Sequence, residues 1–149
     1  MKVSELLTEV FDRGLRDGEK KLSRRDRELF LIWDFVIEFE MGGLSGLLYN
    51  RVAKRGRLEA TARALTKYEV KPLARIVGEL ARRFASFGKD DTAETWDEAR
   101  TQHISDARLA LLEKQLAAAE KNGFGVEKSK LAQLVAEPKK KAPLRKRRA

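Results

Sequence analysis

Cysteine is absent from these 149 residues, which removes disulfides, thiolate nucleophiles and thiolate metal sites together. The absence suits a reducing compartment. Proline is scarce: of three, only Pro72 lies in the body of the chain, so little interrupts long helices. Histidine occurs once, at His103, and a metal site needs at least three ligands at facing spacing. No apolar run approaches the roughly 18–20 residues of a membrane span. The N-terminus turns charged at Glu9, Asp12 and Arg13, without the apolar centre of a signal peptide. These absences read as a cytoplasmic chain.

What is present suits one packed domain. Apolar residues make up 42% of the chain, with two Trp and seven Phe as large core pieces, enough for a single core at this length. The net charge is +9, and seven of its cations, Lys139, Lys140, Lys141, Arg145, Lys146, Arg147 and Arg148, stand in the last twelve residues with no acid among them. Removing those seven from +9 leaves +2 for Met1 to Glu137. The body is nearly balanced and the basicity is a tail, whereas a nucleic-acid platform more often carries its charge on the folded surface. The expected division is a domain over 1–137 and a disordered tail over 138–149.

Helical spacing dominates the body. Val3, Leu6, Leu7, Val10 and Phe11 predict an amphipathic first helix, with Gly14 and Gly18 loosening the chain after it. Ser23 is placed to cap the next helix, with Asp26 in its first turn. Leu29, Phe30, Ile32, Trp33, Val36, Ile37 and Phe39 then form the most apolar segment, too long for a typical strand. Phe35 falls off that stripe and is read as facing a second layer or a partner subunit. Gly42 and Gly43 stop the helix, since one of them must usually take positive φ. Short helices follow through Leu44–Val52 and Leu58–Leu65, and Pro72 suits the first turn of the next. There Leu73, Ile76, Val77, Leu80, Ala81, Phe84 and Phe87 make one continuous apolar face, closed by Gly88. From Thr92 to the pair Asn122 and Gly123 the pattern predicts the longest helix, with a sparse stripe that admits a homodimer. Val126, Leu131, Leu134 and Val135 suggest a last short helix. The fold expected is all-α, a compact bundle of about six helices centred on the Phe30–Phe39 and Leu73–Phe87 segments.

The segment Phe39 to Asn50 resembles a bacterial family of unknown function named after the C-terminal domain of a neisserial DNA-mimic protein. Gly42, Gly43, Leu44, Leu47, Leu48 and Asn50 match its pattern of a helix, an Asn-Gly-Gly turn, an aromatic or leucine pair and an Asn. Met41 stands where the family has Asn, and Gly46 where Gln is common. The likeness runs from about Leu29 to Phe87. It implies a helical protein, and its eponymous member presents an acidic surface that imitates DNA to a DNA-binding regulator. A mimic needs a dense negative face, so the positive balance here predicts that this chain is not one.

Asp, Glu, His and Gly patterns bear on chemistry. Asp34 and Glu38 at i, i+4 can share a site, and with Arg51 they are the best candidates for an enzyme of unknown reaction. The competing reading is a polar stripe on the helix. His103 reads as solvated or helix-packed, and its neighbour Ser105 points away from it. Gly42, Gly43 and Gly46 lack the Lys and the preceding strand of a phosphate loop. They read as a tight turn with close helix approach, whose backbone the Asn50 side chain can bond. The basic tail has no interleaved aromatics, so any nucleic-acid binding would be non-specific. No metal or cofactor is indicated. The function expected is a non-catalytic interaction protein with a protein partner and a tail of weak nucleic-acid affinity. A nucleic-acid accessory protein acting through that tail is the alternative.

Overall fold

The computed structural model describes residues 1–52, 54, 56–89 and 92–136, and these are helical with no strand among them. Helix α1 spans Val3–Asp17, α2 Arg24–Arg51, α3 Arg57–Lys67, α4 Lys71–Arg83, α5 Trp96–Thr101 and α6 Asp106–Glu120. Tight 3-10 turns occupy Glu19–Lys21 and Gly123–Lys128, and residues 132–136 are again helical. None of the described helices is long and apolar enough to cross a membrane. The basic stretch 138–149 lies outside the described residues.

Helix α1 buries Val3, Leu7 and Val10, the i, i+4, i+7 face that its sequence predicts. Gly14 corrects an expectation. It lies inside α1 rather than loosening it, and a Cβ there would come within 2.5 Å of Phe30 Cδ2. The missing side chain lets α1 and α2 approach. Gly18 ends the helix at φ 101.

Ser23 caps α2, its hydroxyl accepting the Asp26 N–H at 3.1 Å. Leu29, Phe30, Leu31, Ile32, Phe35, Val36 and Phe39 are all buried, so this helix is enclosed on nearly every side. Phe35, expected to face a second layer or a partner, therefore lies in the main core at 3% exposure. Trp33 is only partly buried. A stripe derived from one face misjudges a helix that has neighbours all round. Helix α3 packs against both α2 and α4, α1 packs on α2, and α6 meets α4 and α2.

Helix α4 follows its predicted face, burying Leu73, Ile76, Val77, Leu80 and Ala81. It ends at Arg83, and a series of turns, rather than helix, carries the chain on to Gly88. The long helix predicted from Thr92 to Asn122 is also corrected: it is two helices, α5 and α6. The Thr95 hydroxyl accepts the Glu98 N–H at 3.3 Å and the Ser105 hydroxyl accepts the Arg108 N–H at 3.1 Å, so each starts its own helix. Ile104 sits buried in the turn between them. Beyond α6, Gly123, Phe124 and Gly125 all take positive φ, and Phe124 is folded back edge-on to Phe39 at 6.2 Å.

Candidate functional site

The segment from Glu38 to Arg57 carries the residues the sequence singles out. Within α2, Gly43 has φ 68 and ψ −175, a combination essentially restricted to glycine. It divides the helix in two. The second half would begin with unsatisfied N–H groups, and Glu113 from α6 supplies the acceptor: its Oε2 takes the Leu44 N–H at 3.1 Å. A Cβ on Gly43 would lie 2.9 Å from Glu113 Oε1. Close approach therefore concerns Gly43 alone, since nothing lies within 4 Å of the Cβ position at Gly42 or Gly46. Leu44, Leu47 and Leu48 are fully buried. At about 2 kcal/mol each, they outweigh the roughly 1–3 kcal/mol of an unusual backbone.

Asn50 does not bond the turn's backbone as anticipated. Its Nδ2 donates instead to Glu38 Oε2 at 3.1 Å, joining a chain of charged groups. Arg51 Nη2 donates to Asp34 Oδ1 at 2.7 Å and Glu38 Oε1 at 2.9 Å. Arg57 Nη2 reaches the other Asp34 oxygen at 3.0 Å, and its Nη1 meets both Glu19 oxygens at 3.2 Å. The structure thus brings Asp34, Glu38 and Arg51 together and adds two partners, Arg57 and Glu19, that sequence reasoning missed. No local spacing could have found them, because Arg57 and Glu19 are 38 residues apart. Asp34 is buried, and the Nε groups of Arg51 and Arg57 are buried without a partner.

Chemically, this constellation is an ion-pair clamp. Both Asp34 oxygens are engaged, which opposes a general-base role. The hollow beside it, lined by Arg51, Lys54, Phe84, Phe87 and Lys89 among others, holds about 160 Å³, less than the usual ligand pocket.

Phe84 and Phe87 line that hollow and belong to a ladder of rings. Tyr49 meets Trp96 edge-on at 5.7 Å, Trp96 meets Phe87 at 5.7 Å, and His103 lies 5.3 Å from Phe87 and 5.4 Å from Phe84. His103 Nδ1 stands 3.0 Å from the Arg83 carbonyl oxygen, which can only accept, so Nδ1 carries the proton in this contact. The imidazole therefore ties the turn before α6 to the end of α4. Tyr49 remains 62% exposed and Met41 80% exposed.

Two further carboxylates behave distinctively. Glu40, at the end of the first half of α2, meets Glu120 at the end of α6. Burial first, then the hydrogen bond and charge of Glu120, push its pKa above the usual carboxylate range. Glu79 is the opposite case: hydrogen bonds from Arg108 and Arg83 hold it down to about 2, against the desolvation that would raise it. The basic candidates Lys139, Lys140, Lys141, Arg145, Lys146, Arg147 and Arg148 lie outside the described residues.

The family described as DMP19-like protein matches residues 20–137, a wider span than the Leu29–Phe87 likeness read from the motif. No curated protein and no solved structure matches the chain.

Proposed function

We propose that this chain, which belongs to the DMP19-like protein family, is a non-catalytic macromolecular interaction protein that docks a protein partner in the cytoplasm. The basic tail adds weak, sequence-independent affinity for nucleic acid. The observation that carries the reading is the exposed Tyr49 on its Trp96 neighbour, projecting from the segment that bears the family motif. Aromatic rings left at the surface beside polar groups are characteristic of protein interfaces. The catalytic alternative has less support, because Asp34, Glu38 and Arg51 spend their hydrogen bonds on one another.

Imitation of DNA is not the mode of binding proposed. Residues 1–137 carry +2, and a competitor for a basic groove needs dense negative charge. Displacement of DNA from a basic regulator by the purified protein would overturn this point.

The test is crosslinking of the tagged chain in its native cells, set against a Tyr49→Ser/Met41→Ser variant with unchanged helix content. At least one protein, a second copy of this chain included, is expected to be captured by the parent and lost by the variant. Equal capture by both, or none by either, refutes the docking surface.

A further inference from the structure

Residues 40–49 of α2 lie along α6 with a groove between them, and three contacts fix the register. Ser45 shares a hollow of about 330 Å³ with Asp106, Leu109, Ala110 and Glu113. Leu44 donates its N–H to Glu113 Oε2 at 3.1 Å, and Glu40 meets Glu120. The two segments therefore run antiparallel, and beyond Ser45 the groove leads to Tyr49 and its neighbour Trp96. Its floor is made of small residues: Gly42 and Gly46 on one side, Ala110 and, two turns further along the same face of α6, Ala117. Neither of those glycines has a positive φ, and nothing lies within 4 Å of either Cβ position. No contact inside the described chain calls for a glycine at either place, although glycine weakens a helix. What both do is leave backbone open to an outside surface. Met41 and Tyr49, 80% and 62% exposed, stand at the two ends.

The charge along the groove has one sign. Asp106, Glu113 and Glu120 recur at i, i+7 and i+14 on α6, which is one face of the helix. Arg100 holds Asp106 at 2.6 Å, but Glu40, Glu113 and Glu120 have no ion pair among the described residues. Of the two cations of α6, Arg108 is bound to Glu79 at 2.6 Å, and Lys114 stands about 100° round the helix from Glu113. We propose that this groove seats a basic amphipathic helix of a protein partner. Its apolar side lies on Met41, Tyr49 and the small floor, and its cations meet Glu40, Glu113 and Glu120. The proposal rests on the docking surface put forward above and names the chemistry of the partner.

Other occupants fit less well. A twofold pairing of two such faces would set carboxylate against carboxylate, which excludes a second copy, and a nucleic acid would be repelled in the same way. An added strand has no sheet edge to join among the described residues, whereas a helix laid between two helices needs only apolar anchors and matching charge. Nor is the groove an imitation of DNA. Its length along α6 is about 21 Å, fourteen rises of about 1.5 Å, over which duplex DNA would carry about twelve charges where this face has four.

The test is fluorescence anisotropy on the full chain with a labelled Leu/Lys peptide of about 14 residues, its leucines on one helical face. A scrambled peptide of the same composition is the reference probe. Glu113→Gln/Glu120→Gln, which keeps an acceptor for the Leu44 N–H, should weaken binding about tenfold at about 50 mM salt. That difference should largely vanish at about 500 mM, where exposed charges are screened. Ala110→Arg, at an exposed position, should abolish binding by filling the groove. Glu9→Gln/Asp12→Asn, on the exposed side of α1, should bind as the parent does. Equal losses in the α1 and α6 charge variants overturn the groove, since net charge alone would then explain them. Equal binding of the scrambled peptide, or none of the amphipathic one, overturns it too. A loss in Tyr49→Ser/Met41→Ser with none in the Glu113/Glu120 variant overturns the basic helix and leaves the docking surface standing. If crosslinking in cells captures no protein at all, the docking surface and the groove fall together.

Discussion

Two helical glycines separate what a missing side chain does for packing from what it costs the helix. At Gly14 a Cβ would collide with the Phe30 ring at 2.5 and 2.6 Å, whereas at Gly78 it would meet only the Arg82 Nη1 atom at 3.5 Å. Gly78→Ala should therefore stabilise the protein by about 0.5–1 kcal/mol through helix propensity. Gly14→Ala should destabilise it by about 1–3 kcal/mol, because a buried aromatic ring must move. Urea unfolding of the two variants checks both signs. Glu40 makes a pH-dependent case at the same scale. Its pKa is raised in the folded state by burial and by Glu120, so folding binds the proton more tightly. The stability it contributes is present below the ordinary carboxylate pKa of 4.5 and is lost as pH rises through the raised value. Glu40→Gln should raise the melting temperature at neutral pH, and that gain should vanish in acid below the carboxylate range. A melting series across pH decides it, and a gain independent of pH would refute the carboxylate pairing.

Among the elements, boundaries set by local chemistry were legible and boundaries set by packing were not. The Ser23 cap, the Gly43 break and Pro72 at the start of α4 each announce themselves by residue type. Thr95 and Ser105 cap α5 and α6 in the structure, whereas the apolar spacing across residues 92–122 predicts one helix. Ile104 is buried in the turn between the two helices, just before the Ser105 cap that starts α6. The break at Gly43 yields an element-scale prediction. Gly43→Ala should cost about 1–3 kcal/mol from its backbone angles alone, and it should also push away the Glu113 carboxylate that caps the second half of α2. Glu113→Ala should cost about 1 kcal/mol, as the loss of a cap does, with the backbone unstrained. If Gly43→Ala proves neutral in chemical denaturation, the break is not a glycine-only conformation.

The clamp around Asp34 acts on the whole molecule, because it links the turn at Glu19, both halves of α2 and the start of α3. Its two arginines are largely buried, and removing their shared partner would leave Arg51 with Glu38 and Arg57 with Glu19 while a buried hydrogen bond of each guanidinium goes unmade. Asp34→Ala should thus destabilise by about 1–3 kcal/mol, the cost of leaving buried hydrogen-bonding groups unsatisfied, beyond the roughly 1 kcal/mol limit of an exposed pair. Thermal unfolding with and without the substitution measures it. A loss of only a few tenths would mean that solvent reaches the arginines and that the clamp is ornamental to the fold.

Periodicity, end signals and composition by themselves determined the all-helical class, the faces of α1 and α4, and the restriction of excess positive charge to the last residues. Each of those properties depends on neighbours within a turn or two, so it is written locally. Tertiary structure alone decided that Phe35 is core, that α5 and α6 are separate, that Arg57 and Glu19 join Asp34, and that Ser45 and Glu113 line one groove. Those facts depend on which distant segments share space, and a chain's pattern of side chains states the preference of each face without naming the surface that will cover it.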